Sequence, residues 1–260
     1  MPNAKDLEIT GGKNIILYGP AGSGKTTLVT TIPGRKYMFM LDQSGLDTIA
    51  GLDIDYDTFF PEILPMYLTT LKGKKDAAVT KPTEPKTYIA FERSLQDGLK
   101  HQFENHDVIA IDSLTTLNLV LMDRMLWMNG RQGHNPDISD YLLVGNTIMQ
   151  IFRTLTALKD KTIILTAHSD LVQDELSKKV FNQIDVMKNV RRLLPRIFSD
   201  VWITRSEGDA TGRKFVVQTA PSRDYLEAKN SMDLDYIVDV TIDPSIDREK
   251  QGISFVRPTT

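Results

Sequence analysis

Cysteine is absent from all 260 residues of the sequence. That excludes disulfide bonds and thiolate metal centres and fits a cytoplasmic protein. Long apolar runs are missing as well. None approaches the roughly 20 residues that a membrane-spanning helix needs, so no membrane partner is expected. The opening MPNAKDLEITGGK lacks the basic-then-apolar layout of a secretory leader. Positive charge is scarce too: 31 Lys and Arg against 34 Asp and Glu leave a formal net charge of −3. Nucleic acid, if bound, must therefore meet a local basic patch rather than a basic surface.

What is present describes an ordinary folded protein, 41% hydrophobic and 25% charged, long enough for one large α/β domain with a short appendage. NIILYG (Asn14 to Gly19) reads as a buried strand. A helix opening at Lys25 should run to about Ile32, where Pro33 and Gly34 stop it. YMFML (Tyr37 to Leu41), DVIAID (Asp107 to Asp112) and TIILTAH (Thr162 to His168) are further buried strands. Helical spacing marks TYIAFERSLQDGLKHQF and the segments Leu114 to Met128 and Asp140 to Leu158. Leu71 to Lys86, with its lysines and two prolines, is expected to be a surface loop, and DVWITRSEGDATGRKFVVQTA a β-hairpin. Strands alternating with helices predict a mainly parallel sheet covered on both faces. Residues 1–232 are expected to form the core and 233–260 an acidic tail packed on or flanking it. Met122, Met125 and Met128 recur every three residues with Leu126 nearby, which reads as a core-facing stripe.

The strongest motif is LYGPAGSGKTTL, in which Gly19, Gly24, Lys25 and Thr26 satisfy G-x-x-x-x-G-K-[ST]. Small residues in this loop, spanning Gly19, Pro20, Ala21, Gly22, Ser23 and Gly24, let successive backbone N–H groups turn inward around phosphate oxygens. Lys25 brings a point charge to the β and γ phosphates, the Thr26 hydroxyl is a Mg²⁺ ligand, and Thr27 continues the site into the helix. Asp112, ending the apolar DVIAID strand, is placed to hold the same Mg²⁺ through water. ATP and Mg²⁺ are the expected cofactors.

GPAGSGKTT, VIAIDSLTTL and the strand ending in TAHSD together resemble the RecA-like P-loop ATPase core. More narrowly, they resemble its compact phage-encoded versions, the recombinase and single-strand-annealing group. The resemblance runs from about Lys13 to Met232. It implies a RecA-like α/β fold, DNA-stimulated ATP hydrolysis, assembly into a ring or filament, and single-stranded DNA as partner. It further implies a possible single-strand-binding protein partner, and the host cytoplasm as location if the chain is phage-encoded.

The resemblance also assigns roles residue by residue. The family's water-polarising glutamate would fall at Ser44 in LDQSGLD, a departure that leaves Asp42 as the candidate base and Asp47 as the second choice, with slow hydrolysis an open alternative. His168 would sense the γ-phosphate, or serve only as a structural residue. Lys229 in EAKNSM would reach a neighbouring subunit's nucleotide, with Arg223 as second candidate; the bland reading of Lys229 is a solvated surface lysine. Lys188, Arg191, Arg192 and Arg196 in KNVRRLLPR follow HSDLVQDELSKKVFNQIDV, where the family keeps a mobile DNA-binding loop, and are the candidate DNA contacts. They read equally as the solvated edge of a helix docked by its leucines. Arg131 and His134, in NGRQGHNPD, fall at the family's other DNA loop, and Phe181 is the sole stacking aromatic in the later one. Lys72, Lys74 and Lys75 read as loop solubility. Two other readings stay open: a nucleotide-dependent assembly switch with little turnover, and a small-molecule phosphotransferase. The lysine-rich loop lacks the arginines that the latter would use.

Overall fold

The computed structural model describes residues 11–62, 83–175, 178–208 and 214–256. Most of the lysine-rich stretch from Leu71, including Lys72, Lys74 and Lys75, lies outside them, as does Gly212 in the hairpin loop.

In chain order the elements are β1 (Asn14–Gly19), α1 (Lys25–Thr30), β2 (Lys36–Met40), α2 (Leu46–Ile49), β3 (Asp55–Thr58) and α3 (Thr87–Lys100). Then come β4 (Val108–Asp112), α4 (Leu114–Met128), α5 (Ile138–Thr156), β5 (Thr162–Gln173), β6 (Val180–Ile184) and α6 (Lys188–Leu193). The chain continues through β7 (Asp200–Glu207), β8 (Lys214–Gln218) and β9 (Ile237–Asp239). The strands lie in the order β3-β2-β4-β5-β1-β7-β8-β9, with β6 paired to β5 outside this path. From β3 to β7 every pairing is parallel, while β8, β9 and β6 are antiparallel. The phosphate-loop strand β1 and the Asp112 strand β4 are thus separated by β5. This is the mainly parallel α/β fold that the sequence predicts.

Alternation along β1 divides the core. Ile16 and Tyr18 face the layer formed by α3, α4, α5 and α6, while Ile15 and Leu17 face α1 and the C-terminal segment. Both faces of a parallel sheet must be covered in this way, which is why its central strands are apolar throughout. Residues after Met232 complete the second layer. Val240, Ile253 and Val256 are buried there beside Leu28, Val29 and Met38. Arg248 Nη1 donates to the Thr30 hydroxyl at 3.1 Å and to the Thr48 carbonyl at 3.3 Å, and the Ile253 amide donates to Thr31 Oγ1 at 2.9 Å.

Several expectations need correction. The segment expected to be a mobile loop after His168 is an antiparallel hairpin: β5 runs on to Gln173 and pairs with β6, Ser169 opposite Ile184. β3 gave no sequence signal because all four of its residues, DYDT, are exposed. The methionine stripe holds only in part, since Met122 is buried, Met125 half-buried and Met128 exposed. Steps of three fall short of a 3.6-residue turn, so the buried face passes from Met122 to Leu126 instead.

Candidate nucleotide site

The site lies at the C-terminal edge of β1, β2, β4 and β5. Gly19 ends β1 under β7, where an added Cβ would come 2.2 Å from the Thr204 carbonyl oxygen, so no larger residue fits. Gly22 and Gly24 have φ of 70° and 87°, the left-handed region that glycine enters without steric cost. The loop is tied to β7 by the Ser23 and Thr204 hydroxyls, 2.6 Å apart and buried. Lys25 Nζ donates to the carbonyls of Gly19 and Pro20, both at 2.9 Å. Burial lowers the Lys25 pKa to about 8, with Asp112 and Asp42 acting in the opposite sense.

Asp112 is fully buried and accepts two hydroxyl hydrogen bonds. Thr26 Oγ1 donates to Oδ2 at 2.6 Å, and Thr166 on β5 donates to Oδ1. Burial raises its pKa, opposed by those two hydroxyls. Beside it the end of β2 is stitched to the end of β4: the Leu41 and Asp42 amides donate to the Asp112 carbonyl at 2.6 and 3.2 Å. Asp42 therefore stands next to Asp112. Thr116, in the first turn of α4, donates to Asp42 Oδ1, and His168 Nε2 lies 3.3 Å from Oδ2. Burial opposes ionisation of Asp42, but hydrogen bonds from His168, Thr116 and Ser113 outweigh it and hold the pKa below the usual carboxylate range.

Thr26, Asp112, Asp42 and His168 line one cavity of about 320 Å³ with Lys25 and Thr27. The sequence-predicted phosphate loop, metal ligands, base and sensor are thus brought together. Ser44 and Thr48 line the same cavity, as does Phe215 from β8. Ser44 offers a hydroxyl where a glutamate would offer a carboxylate. Residues outside the motifs are the hydroxyl side chains that hold the two acids, Thr166 and Thr116, and Thr204, which holds Ser23 of the phosphate loop. Their signal was present, because LTAH places Thr166 two residues before His168 and SLTTL places Thr116 one helical turn after Asp112.

Thr26 and Asp112 present hard oxygen donors side by side. That suits Mg²⁺, which takes one or two protein oxygens and fills its remaining positions with water and phosphate. Among the described residues no group of three His, Asp or Glu is placed to hold a metal ion. Bound there, Mg²⁺ would offset charge on the phosphates.

Residues 12–232 match the family model described as AAA domain (AAA_24). The chain belongs to this AAA domain family. No curated protein matches it. Among solved structures this AAA domain is similar to the flagellar accessory protein FlaH from Methanocaldococcus jannaschii. Identity is 14% and the TM-score 0.45, over 90% of this chain and 87% of that chain. No helix among the described residues of this AAA domain is long and apolar enough to cross a membrane.

The remaining candidates lie elsewhere. Arg131 is ion-paired to Asp137 and to the buried Asp140, which also accepts from Asn129 at 2.8 Å. It neutralises a buried carboxylate that caps α5, a structural role that the sequence did not show. Lys229 forms an antiparallel bridge with Val201, and its Nζ donates to the Phe198 carbonyl of its own chain at 2.9 Å. Arg223 is exposed in the turn before Tyr225. Lys188, Arg192 and Arg196 are exposed on α6 and the turn after it. Arg191 is half-buried, close enough to the half-buried Glu227 to stabilise its carboxylate, although burial still raises that group's pKa.

Proposed function

We propose that this AAA domain hydrolyses Mg·ATP and couples hydrolysis to single-stranded DNA, as a RecA-like recombinase or annealing ATPase of the compact phage-encoded kind. One observation supports the coupling above all. β5 carries Thr166 against Asp112 and His168 against Asp42, then leaves the site as the hairpin that leads through β6 into the basic α6. The junction is pinned by Thr115, whose Oγ1 accepts from the His168 amide at 3.1 Å and donates to the Asp185 carbonyl at 3.0 Å. A shift of His168 with nucleotide state is thereby transmitted to the residues that would hold DNA phosphates.

In this reading Lys25 turns from the loop carbonyls onto the phosphates, and Asp42, kept ionised by its donors, orients the attacking water and takes its proton. His168 reports the γ-phosphate through Asp42. Lys229, with Arg223 as second candidate, would reach a neighbouring subunit's nucleotide in an assembled ring or filament; both residues are exposed.

Ser44 supports a second reading, a nucleotide-dependent assembly switch with slow turnover. Steady-state phosphate release with and without single-stranded DNA, beside a Lys25→Ala control, decides between them. Stimulation by DNA supports the coupled ATPase. ATP binding with negligible release under both conditions supports the switch and overturns the first reading.

A further inference from the structure

A groove of about 580 Å³ runs between the start of α5 and the start of α6, away from the nucleotide site. Its walls are Ile138, Tyr141, Leu142 and Met187, and its rim carries Lys188 and Arg192. Three of the wall residues are conspicuously exposed: Ile138 at 80%, Leu142 at 54% and Tyr141 at 43%. An apolar patch rimmed by charge is the usual mark of a binding surface. Lys188 and Arg192 have no ion-pair partner among the described residues. From Met187 to Ser199 the chain contains no acid and four cations.

We propose that this groove seats bases of single-stranded DNA, with Tyr141 as the stacking platform and Lys188 and Arg192 on the flanking phosphates. The inference rests on the DNA reading given above and supplies what the sequence alone lacked, an aromatic beside the basic cluster. Tyr141 lies far from that cluster in sequence, but α5 packs along α6, where the Asn189 side-chain amide reaches the Tyr141 carbonyl at 3.4 Å. The complementarity decides the occupant. A single-stranded nucleic acid offers flat apolar faces alternating with regularly spaced anions, and proteins bind it without sequence preference by pairing aromatic platforms with a basic track. The groove has both, and the track continues past it to Arg196. The track also starts three residues after Asp185, where Thr115 and His168 tie the hairpin to the nucleotide site.

The test is fluorescence anisotropy of a labelled oligothymidylate with the full chain, in parallel with binding of a fluorescent ATP analogue. Tyr141→Ala should weaken oligonucleotide binding about tenfold, while Tyr141→Phe and Tyr141→Trp retain it and all three bind the ATP analogue normally. Lys188→Gln with Arg192→Gln should flatten the dependence of log K on log salt by about 0.7 for each lost phosphate contact. If Tyr141→Ala binds the oligonucleotide as tightly as the parent, the groove assignment is overturned and the DNA reading stands. If the parent chain itself ignores the oligonucleotide, both fall. A labelled acidic, leucine-rich peptide that binds in a Tyr141-dependent manner when the oligonucleotide does not would make the groove a protein-docking site and overturn the proposal.

Discussion

His168 Nε2 lies 3.3 Å from Asp42 Oδ2, so the middle of β5 meets the segment that follows β2 at the nucleotide site. Neither residue belongs to the phosphate-loop motif, yet both line the cavity that Lys25 lines. In the proposed mechanism Asp42 is the carboxylate that acts on the attacking water. Asp42→Asn is accordingly expected to lower kcat by about 10²-fold or more with ATP affinity retained. Single-turnover phosphate release and a separate binding titration check this. Undiminished release would move the base to another residue.

Thr116 holds the other oxygen of the same carboxylate. Removing its hydroxyl frees Asp42 to rotate without altering the phosphate loop. Thr116→Val should cost about tenfold in kcat with little change in KM, the pattern of an interaction made only in the transition state. Thr116→Ser should restore most of the loss. Equal activity in the valine variant would show that His168 and Ser113 suffice to orient Asp42.

Among the described residues Lys25 has only backbone carbonyls as hydrogen-bond partners, those of Gly19 and Pro20. Lys25→Ala should reduce turnover by about 10²-fold or more, or abolish ATP binding, with the fold intact by circular dichroism. Unchanged turnover would remove the phosphate-loop assignment.

Ile253 is fully buried against the layer containing Leu28 and Val29. Truncation to alanine leaves a cavity, and a loss of about 2–5 kcal/mol is expected in a denaturant titration. A loss below about 0.5 kcal/mol, the scale of ordinary surface changes, would mean that the C-terminal segment contributes little to the core.

Glu227 is a test by pH. Burial raises its pKa, opposed by the Ile184 amide and by Arg191. A carboxyl with a raised native pKa penalises the folded state wherever it is ionised, so the penalty is present at neutral pH. It disappears as pH falls through the raised value towards the ordinary glutamate value. Glu227→Gln should therefore raise Tm at pH 7, and the gap should close on acidification. A gap that is independent of pH, or a lower Tm for the glutamine variant at neutral pH, would contradict this.

The phosphate loop and its helix, Asp112 and the central strands were legible because each combines an apolar run with a residue whose chemistry is local. What escaped was tertiary. β3 is made of exposed residues and is a strand only because β2 presents free backbone groups beside it. The hairpin of β5 and β6 is polar and read as a loop. Arg131 looked available until the fold placed the buried Asp140 against it. The C-terminal segment showed little pattern in sequence, yet Val240, Ile253 and Val256 are spaced to reach a surface that α1 and β2 create. Tyr141 and Arg192 could not be paired from sequence, since only the packing of α5 on α6 makes them neighbours.

The two margins of the sheet share a property. β3 is four residues long with Asp55 and Asp57 exposed, and β9 is three residues long, flanked by Asp235 and ending in Asp239. Short, acidic outer strands repel a second copy of themselves and discourage edge-to-edge pairing. In the assembly proposed above, copies of this chain would therefore join through helices and loops, which leaves these sheet margins closed to fibre-like growth.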